Sequence, residues 1–187
     1  KPNERFTWAA TVLNLQTEDR VLEIGCGAGL LVEQIARVLN PGTIVALDRC
    51  AAMIKMASKR NAASVSEDKA KFIALDFSDS TFKKSEFDKI VAFNVNFFWK
   101  NPKRELEIIK KILKPTGQLY IFYQAPTWTD IEATRPITEN LIKTSFTISD
   151  TFFKNMAPTP TFCIKTNLLF SHDPSTIPGP EWGKNNS

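Results

Sequence analysis

Residues 21–31 read VLEIGCGAGLL, and this stretch decides the fold class. An apolar run that contains Glu23 is followed by Gly25, Gly27 and Gly29 and then by a second apolar segment. A strand that leads through glycines into a helix brings backbone N–H groups and the positive helix end beside a ligand. Glycine also lets the backbone approach that ligand closely. The stretch therefore predicts a ligand-binding turn between a strand and a helix.

The same pattern continues along the chain as far as residue 123. Short apolar runs alternate with segments of helical period, which is typical of βαβ units and a parallel sheet. The fold class predicted from this alternation is α/β with a parallel sheet. The predicted strands are residues 20–24, 43–47, 71–75, 89–93 and 118–123.

Helices are predicted between these strands and ahead of the first one. Residues 3–15 form a short amphipathic helix at one edge of the site. The helix over residues 51–62 carries Met53, Ile54 and Ala57 inward, and the helix that begins near Pro102 ends at Pro115 and Gly117.

The pattern is weaker after residue 123. It predicts a helix from about Asp130 to Lys143 and a closing hairpin built from residues 145–153 and 161–170. The segment 172–187 is rich in proline, glycine and polar residues, which indicates a surface tail. We therefore expect residues 1–187 to form a single domain with a core of about residues 20–170, a size that buries enough apolar surface to fold as a unit.

Composition excludes several classes of protein. No apolar run approaches the ~18 residues that a membrane span needs, so no membrane partner is expected. The three cysteines lack the spacing of a zinc site or a disulfide framework, and no metal is predicted. The N-terminal residues do not resemble a secretory leader, which favours a cytoplasmic location. A net charge of +4 is too small to indicate nucleic-acid binding.

Acidic residues follow the predicted strands at the same edge of the sheet. Asp48 ends the second strand, where a carboxylate can accept hydrogen bonds from ribose hydroxyls, and Asp76 follows the third. Glu23 stands where it could meet a cationic group or brace the loop. The glycine spacing is GxGxG, with Leu30 at the third glycine of the dinucleotide fingerprint GxGxxG. A nicotinamide-dependent oxidoreductase shares the glycine loop and the acid but does not explain this spacing.

Five motifs in order make residues 20–123 resemble the class I S-adenosylmethionine-dependent methyltransferases. The resemblance implies a three-layer, doubly wound Rossmann-like α/β sandwich. Its seven-stranded, mostly parallel sheet would have the order 3-2-1-4-5-7-6 with the last strand antiparallel. The matching segments are VLEIGCGAG, VALDRC, ALDF, FDKIVAFNV and LKPTGQLYIF.

The resemblance also implies the cofactor, S-adenosylmethionine, with S-adenosylhomocysteine as product, and the residues that hold it. The three glycines would wrap the methionine and ribose portion. Asp48 would hold the ribose hydroxyls and Asp76 the adenine amine, although both carboxylates are also able to act as plain helix caps. Met53, with plain core as its alternative, and Phe77 would face the adenine, and Asn94 would lie near the methionine end. The complete expected set is Glu23, Gly25, Cys26, Gly27, Gly29, Asp48, Arg49, Met53, Asp76, Phe77 and Asn94.

Methyl transfer from a sulfonium is an in-line displacement, so alignment and exclusion of water can supply much of the catalysis. A catalytic residue is not obligatory, and the catalytic residue stays unknown. Tyr123 and His172 are weak candidates for a general base.

Methyltransferases that modify nucleic-acid bases resemble one another in carrying an Asn/Asp-Pro-Pro-aromatic motif after the fourth strand. The segment NVNFFWKNP stands at this place and departs from that motif. We therefore expect a small-molecule methyl acceptor in an aromatic pocket rather than a nucleic acid. The pocket residues expected are Asn96, Trp99, Tyr123 and Trp128.

Two other functions stay open from the sequence. One is the oxidoreductase above; the other is a cofactor-binding partner subunit without its own transferase activity. Because no insertion for substrate choice is visible, the active site is either open or completed by a second copy of the chain, as in a homodimer.

Overall fold

Seven strands form one sheet in the computed structural model, which describes residues 3–124 and 134–169. The strands are β1 (Arg20–Ile24), β2 (Thr43–Asp48), β3 (Ala70–Ala74), β4 (Phe87–Phe93), β5 (Leu113–Gln124), β6 (Phe146–Lys154) and β7 (Thr161–Leu168). The helices are α1 (Glu4–Val12), α2 (Leu30–Ala36), α3 (Ala51–Arg60), α4 (Ala62–Ser66), α5 (Lys103–Ile112) and α6 (Arg135–Lys143), with 3-10 turns at Phe77–Asp79 and Asn96–Trp99.

The strand order is β3-β2-β1-β4-β5-β7-β6, which confirms the predicted topology. The ladders of β1 with β2 and β4, of β2 with β3 and of β4 with β5 are parallel, whereas β7 runs antiparallel to both β5 and β6. The chain moves outward from β1 to β3 and then returns to add β4 on the other side of β1. This reversal opens a crevice at the carboxyl ends of β1 and β4, where open α/β sheets bind ligands.

Both faces of the central strands are buried, which explains why they appear in the sequence as nearly continuous apolar runs. On one face Leu22 of β1 lies in the same core cluster as Leu106 of α5. On the other face Val21 of β1 lies in a cluster with Leu31 of α2. Burying each such leucine or valine stabilises the fold by ~1.5–3 kcal/mol, so the two apolar layers fix the sheet that carries the site.

The end of α5 differs from the prediction. The helix ends at Ile112, before Pro115, because Leu113 already has extended backbone with φ −74° and ψ 136°. Residues 114–117 then leave the β4–β5 ladder: Phe87 pairs with Leu113, and the next pair joins Lys89 to Gln118. Proline has no N–H to donate, so its place is in this irregular part of the strand.

Met53 also differs from the prediction, because it does not face the core. Its side chain is 39% exposed on α3, and Ile54 is half-buried, whereas Ala57 is fully buried. Small Ala57 sets the close contact of α3 with the loop that precedes α2, and this contact leaves the longer side chain of Met53 outside the core. Plain core packing is therefore not the role of Met53.

The closing part of the chain agrees with the predicted hairpin and helix. Strands β6 and β7 form the hairpin, and α6 ends at Lys143 as predicted, beginning at Arg135 in the described part. The predicted tail, residues 172–187, lies outside the described residues. Within residues 3–124 and 134–169, no helix has the length and apolar character that a bilayer crossing requires.

Candidate functional site

A cleft of about 390 Å³ lies at the carboxyl ends of β1, β2 and β4, at the reversal point of the sheet. Each strand delivers its last residues to the cleft wall, so residues far apart in sequence come together there. Seven of the predicted site residues line it: Gly25, Asp48, Arg49, Asp76, Phe77, Asn94 and Asn96. The other lining residues are Ile24, Leu47, Leu75, Val95, Phe97, Lys100 and Glu105.

Asp48 connects the end of β2 to the glycine loop. One carboxylate oxygen accepts a hydrogen bond from the Gly27 N–H at 2.9 Å, and the other accepts from the Cys50 N–H at 2.9 Å. An ionised carboxylate has about four acceptor positions, so both oxygens can still accept from a ligand. Asp48 therefore shapes the loop and also faces the cleft.

The glycine loop is held at both ends by close contacts. Gly25 has φ +73°, and a Cβ there would lie 2.7 Å from the Cγ2 atom of Val95. Gly29 also has φ +73°, and a Cβ there would lie 2.7 Å from Nδ2 of Asn61 and 2.9 Å from Cβ of Ala57. The same Asn61 amide donates to the Gly29 carbonyl at 3.0 Å and to the Ala57 carbonyl at 2.9 Å. Only glycine satisfies both the left-handed backbone and the spacing at these positions.

Gly27, between them, has open space where a side chain would project. Its φ is +51°, and a Cβ there would meet no atom within 4 Å. The loop therefore has room for a ligand above its middle, whereas its two ends are packed against protein.

Glu23 lies behind this loop, almost completely buried. Its side chain is 2% exposed, and its Oε2 atom has no hydrogen-bond partner among the described residues. Burial, and secondly the charge of Asp48, raise the pKa of the Glu23 carboxyl to about 8. The thiol of neighbouring Cys26 also has a raised pKa, chiefly because of burial. Neither group is a cleft-lining residue.

Asp76 and Phe77 form the cleft wall after β3. The Oδ1 atom of Asp76 accepts from the backbone N–H of Ser78 at 3.0 Å and from its hydroxyl at 2.8 Å. These bonds lower the pKa of the Asp76 carboxyl, so it is ionised at neutral pH. Asp76 is thus the cap of a 3-10 turn, and both of these hydrogen bonds go to its Oδ1 atom. Phe77 is buried and stacks on Phe97, with ring centroids 6.1 Å apart.

The side-chain amide of Asn94 joins β4 to β5. Its Nδ2 donates to the Gln124 carbonyl at 3.0 Å, and its Oδ1 accepts from the Gln124 N–H at 2.8 Å. The amide therefore continues the sheet ladder past the end of β4, and the backbone can turn there with φ +55°. Asn94 lines the cleft, but its amide is already committed to Gln124.

We expect Asn94→Ala to lower the free energy of unfolding by about 1–2 kcal/mol, since it removes two hydrogen bonds and places alanine at a positive φ. Urea denaturation measures this change. Asn96→Ala, in the same loop, is the matched control and should change stability by less than about 0.5 kcal/mol. Equal stability of Asn94→Ala and the unmodified protein would contradict the structural role of the amide.

Gln124 also ties α1 to the sheet. Its Oε1 accepts from Nη1 of Arg5 at 3.1 Å, and its Nε2 donates to the Thr159 carbonyl at 2.8 Å. The Phe6 ring of α1 contacts the Phe93 ring edge-on, with centroids 5.1 Å apart. Helix α1 therefore packs on the ends of β4 and β5, and its role as the cover of one edge of the site stays a prediction.

The expected aromatic acceptor pocket is only partly assembled in the described residues. Trp99 and Tyr123 pair with ring centroids 4.4 Å apart, and both are half-buried, but neither lines the cleft. Trp128 and His172 lie outside the described residues. The loop that carries Trp99 is fixed to α6, because Nδ2 of Asn140 donates to the carbonyls of Phe98 and Lys100 at 3.2 and 3.3 Å.

Two charged cleft residues were missed from the sequence. Lys100 and Glu105 line the cleft, and neither belongs to the site residues that the sequence predicts. The signal that could have identified Lys100 is its position in the loop after β4, at the same sheet edge as Asn94 and Asn96. Glu105 lies in the first turn of α5, and its approach to the cleft depends on packing that the sequence does not display.

Comparison with known proteins finds methyltransferases among the proteins that this chain is similar to. Residues 22–121 match the sequence model of a family described as a methyltransferase domain. The chain is 32% identical over 103 residues to a malonyl-[acyl-carrier protein] O-methyltransferase of Priestia megaterium, covering 54% of this chain and 35% of that protein. It therefore spans only about a third of this relative's length. An uncharacterized methyltransferase of Bacillus subtilis is 25% identical over 162 residues, 83% of this chain and 87% of that protein.

Methyltransferases are also among the solved structures with a similar fold. A SAM-dependent methyltransferase from Aquifex aeolicus superposes with a TM-score of 0.70 at 15% identity, covering 86% of this chain and 88% of that one. At this identity the likeness shows the shared fold.

Proposed function

Because the chain belongs to the methyltransferase domain family, we propose that it binds S-adenosylmethionine in the cleft and transfers the methyl group to a small-molecule acceptor. The observation that carries the proposal is the pair of carboxylates, Asp48 and Asp76, at the ends of adjacent strands of one cleft. Beside them, the open space above Gly27 fits a ligand that contacts the loop backbone.

The residues present fit this cofactor. Asp48 has acceptor capacity left for the two ribose hydroxyls, and Asp76 has a second carboxylate oxygen for the adenine amine. Phe77 and the exposed side chain of Met53 supply apolar contacts for the adenine faces. The buried Oε2 atom of Glu23, which has no partner among the described residues, suits a cationic ligand group. The remaining members of the proposed set are Gly25, Cys26, Gly29, Arg49 and Asn94.

The bound cofactor supplies a methyl group on a sulfonium, and the protein's part is to orient and shield it. The glycine loop positions the methionine and ribose portion of the cofactor. Helix α1, which Arg5 and Phe6 attach to the sheet, covers the edge beside β4 and β5. Such alignment accounts for much of the rate of an in-line displacement. Tyr123 pairs with Trp99 instead of lining the cleft, so we assign no general base.

The acceptor is proposed to be a small molecule that meets Asn96 at the cleft and the Trp99–Tyr123 pair behind it. Lys100 and Glu105 give this side of the cleft one charge of each sign, so an acceptor with polar groups fits it better than a hydrocarbon. The small-molecule acceptor, Trp128 as a pocket residue, a homodimer and a cytoplasmic location stay predictions.

Ligand titrations against intrinsic tryptophan fluorescence test the cofactor, since the chain contains four tryptophans. S-adenosylhomocysteine should saturate the signal at roughly micromolar concentration, about −8 kcal/mol of binding free energy, whereas NADH should not. Saturation by NADH alone would favour the oxidoreductase and overturn the proposal.

Transfer itself is tested with methyl-labelled S-adenosylmethionine and fractionated metabolite extract, followed by mass identification of the labelled product. We expect label in a small molecule. Saturable S-adenosylhomocysteine binding without label transfer to any fraction would favour a partner subunit without transferase activity.

A further inference from the structure

Arg5 of α1 carries a guanidinium group whose hydrogen-bond donors are only partly used. Its Nη1 atom donates to the Gln124 side chain at 3.1 Å, at the end of β5. Its Nε atom is buried and has no partner among the described residues, and no hydrogen bond within them involves Nη2. The N–H groups of Nε and Nη2 point in parallel from one edge of the planar group, so a complete pair of donors lacks an acceptor there.

The surroundings of this guanidinium do not neutralise its charge. Arg5 has no acidic partner among residues 3–124 and 134–169, and the preceding residue, Glu4, pairs instead with Lys154 at 3.3 Å. The guanidinium carbon lies 4.6 Å from the ring centre of Phe6 and 5.5 Å from that of Phe93. Aromatic faces attract a cation, but they do not accept hydrogen bonds in the plane of the guanidinium. The Nε–Nη2 edge therefore still needs an acceptor.

Other arginines of the described chain show how the protein supplies such an acceptor itself. The Nε atom of Arg60 donates to the Ala28 carbonyl at 3.0 Å, and Arg37 pairs with Glu33 at 2.6 Å. Arg60 is exposed, whereas Arg5 is half-buried. Because a buried donor without an acceptor costs more free energy than an exposed one, the open edge of Arg5 indicates that a ligand completes it.

The open edge lies beside the strand ends at which the methyl acceptor is proposed to bind. Gln124, the partner of Arg5, also bonds through its backbone to the amide of Asn94, which lines the cleft. The Trp99–Tyr123 pair lies on the other face of the sheet, since Tyr123 and Gln124 are successive residues of β5. The ends of β4 and β5 thus have a guanidinium on one face and an aromatic pair on the other.

Resting on the proposed methyltransferase function, we propose that Arg5 binds the methyl acceptor and that its Nε and Nη2 atoms hold an oxyanion of that molecule. Carboxylate and phosphate oxygens match two parallel N–H donors, whereas a single hydroxyl or an amide nitrogen does not. The acceptor is then an amphipathic small molecule, with its oxyanion at Arg5 and an apolar part against the Trp99–Tyr123 pair.

Nuclear magnetic resonance of the Arg5 Nε–H group tests this contact directly. Isotope-labelled protein saturated with S-adenosylhomocysteine is titrated with benzoate, with phenyl phosphate and with benzamide, and the Arg5 signal is the one that is missing from Arg5→Lys. We expect benzoate or phenyl phosphate to shift this signal saturably at roughly millimolar concentration. The anion that does so distinguishes a carboxylate from a phosphate. Neutral benzamide, which has the shape of benzoate, should not shift it.

Variants test the same contact during methyl transfer. The acceptor is supplied as the metabolite fraction that an anion-exchange column retains at neutral pH. At limiting acceptor, Arg5→Gln should lower the rate of label transfer about a hundredfold, because it removes the charge and both donors. Arg5→Lys keeps the charge without the paired donors and should lower the rate about tenfold. Arg20→Gln removes an exposed arginine that pairs with Glu86 at the amino end of β1, and this matched control should leave the rate unchanged.

Binding of S-adenosylhomocysteine to each variant separates the two proposals, and far-UV circular dichroism confirms that the variants are folded. A role of Arg5 only in holding α1 would weaken cofactor binding and transfer together, and the Nε–H signal would not respond to either anion. That result, an equal shift by benzamide, unchanged transfer in Arg5→Gln, or label only in the unretained fraction would overturn the role of Arg5 and leave the cofactor assignment standing. A complete absence of S-adenosylhomocysteine binding to the unmodified protein would overturn the cofactor assignment and the role of Arg5 together.

Discussion

Asp48→Ala should weaken S-adenosylhomocysteine binding by about 3 kcal/mol, roughly a hundredfold in affinity. In the proposed complex the carboxylate accepts charge-assisted hydrogen bonds from two ribose hydroxyls, each worth about 1.5–3 kcal/mol before non-additivity is taken into account. The substitution also removes the acceptor of the Gly27 N–H, so the glycine loop loses one of the hydrogen bonds that hold it in place. Both effects act in the same direction.

Calorimetric titration of the variant measures the loss. Asp48→Asn keeps an oxygen that can accept from Gly27 but has no charge, so its affinity should fall between those of the alanine variant and the unmodified protein. Asp150→Ala removes an exposed aspartate that pairs with Lys165 on the hairpin, and it should leave affinity unchanged. Unchanged binding in a folded Asp48→Ala variant would exclude the ribose role.

The second large effect concerns stability. Gly29→Ala should lower the free energy of unfolding by about 3 kcal/mol, of which ~1–2 kcal/mol comes from the left-handed backbone and ~1–3 kcal/mol from overpacking. The new Cβ would lie 2.7 Å from the Asn61 amide, and that amide cannot move away without breaking its bonds to Gly29 and Ala57.

Gly27→Ala separates the two contributions. Gly27 shares the positive φ, but a Cβ there meets no atom within 4 Å, so only the backbone contribution of ~1–2 kcal/mol should appear. Urea denaturation of the two variants gives the difference directly. Equal destabilisation of the Gly29→Ala and Gly27→Ala variants would show that Asn61 and Ala57 move to make room for the added methyl group. The Gly27 variant should nevertheless bind S-adenosylhomocysteine more weakly, because its methyl group projects into the space left for the ligand.

The fold was predictable because its central strands are buried on both faces. They therefore form short apolar runs, which can be recognised from the local sequence alone. The positions of Asp48 and Asp76 were predictable for a related reason. Both residues directly follow such runs, and the carboxyl ends of parallel strands lie at one edge of the sheet. Both line the cleft. Their contacts with a cofactor stay proposals.

What the sequence did not disclose depends on contacts between distant segments. The amide of Asn94 is committed to Gln124, 30 residues later, and nothing in the local pattern distinguishes it from an amide that faces a ligand. The exposure of Met53 depends on how closely Ala57 approaches the glycine loop. Pro115 resembled a helix stop, but an irregular strand also tolerates a residue without an N–H.

The reversal of strand order between β1 and β4 divides the chain into two halves that meet along the β1–β4 ladder and through the contacts of α1 with β4 and β5. Residues up to Asp79 supply β1 to β3 with Asp48 and Asp76, and residues from Phe87 onward supply the opposite cleft wall. A ligand that contacts both walls stabilises the association of the halves by mass action. In a chain cut between Asp79 and Phe87, a ligand that contacts both walls would accordingly favour the association of the two fragments.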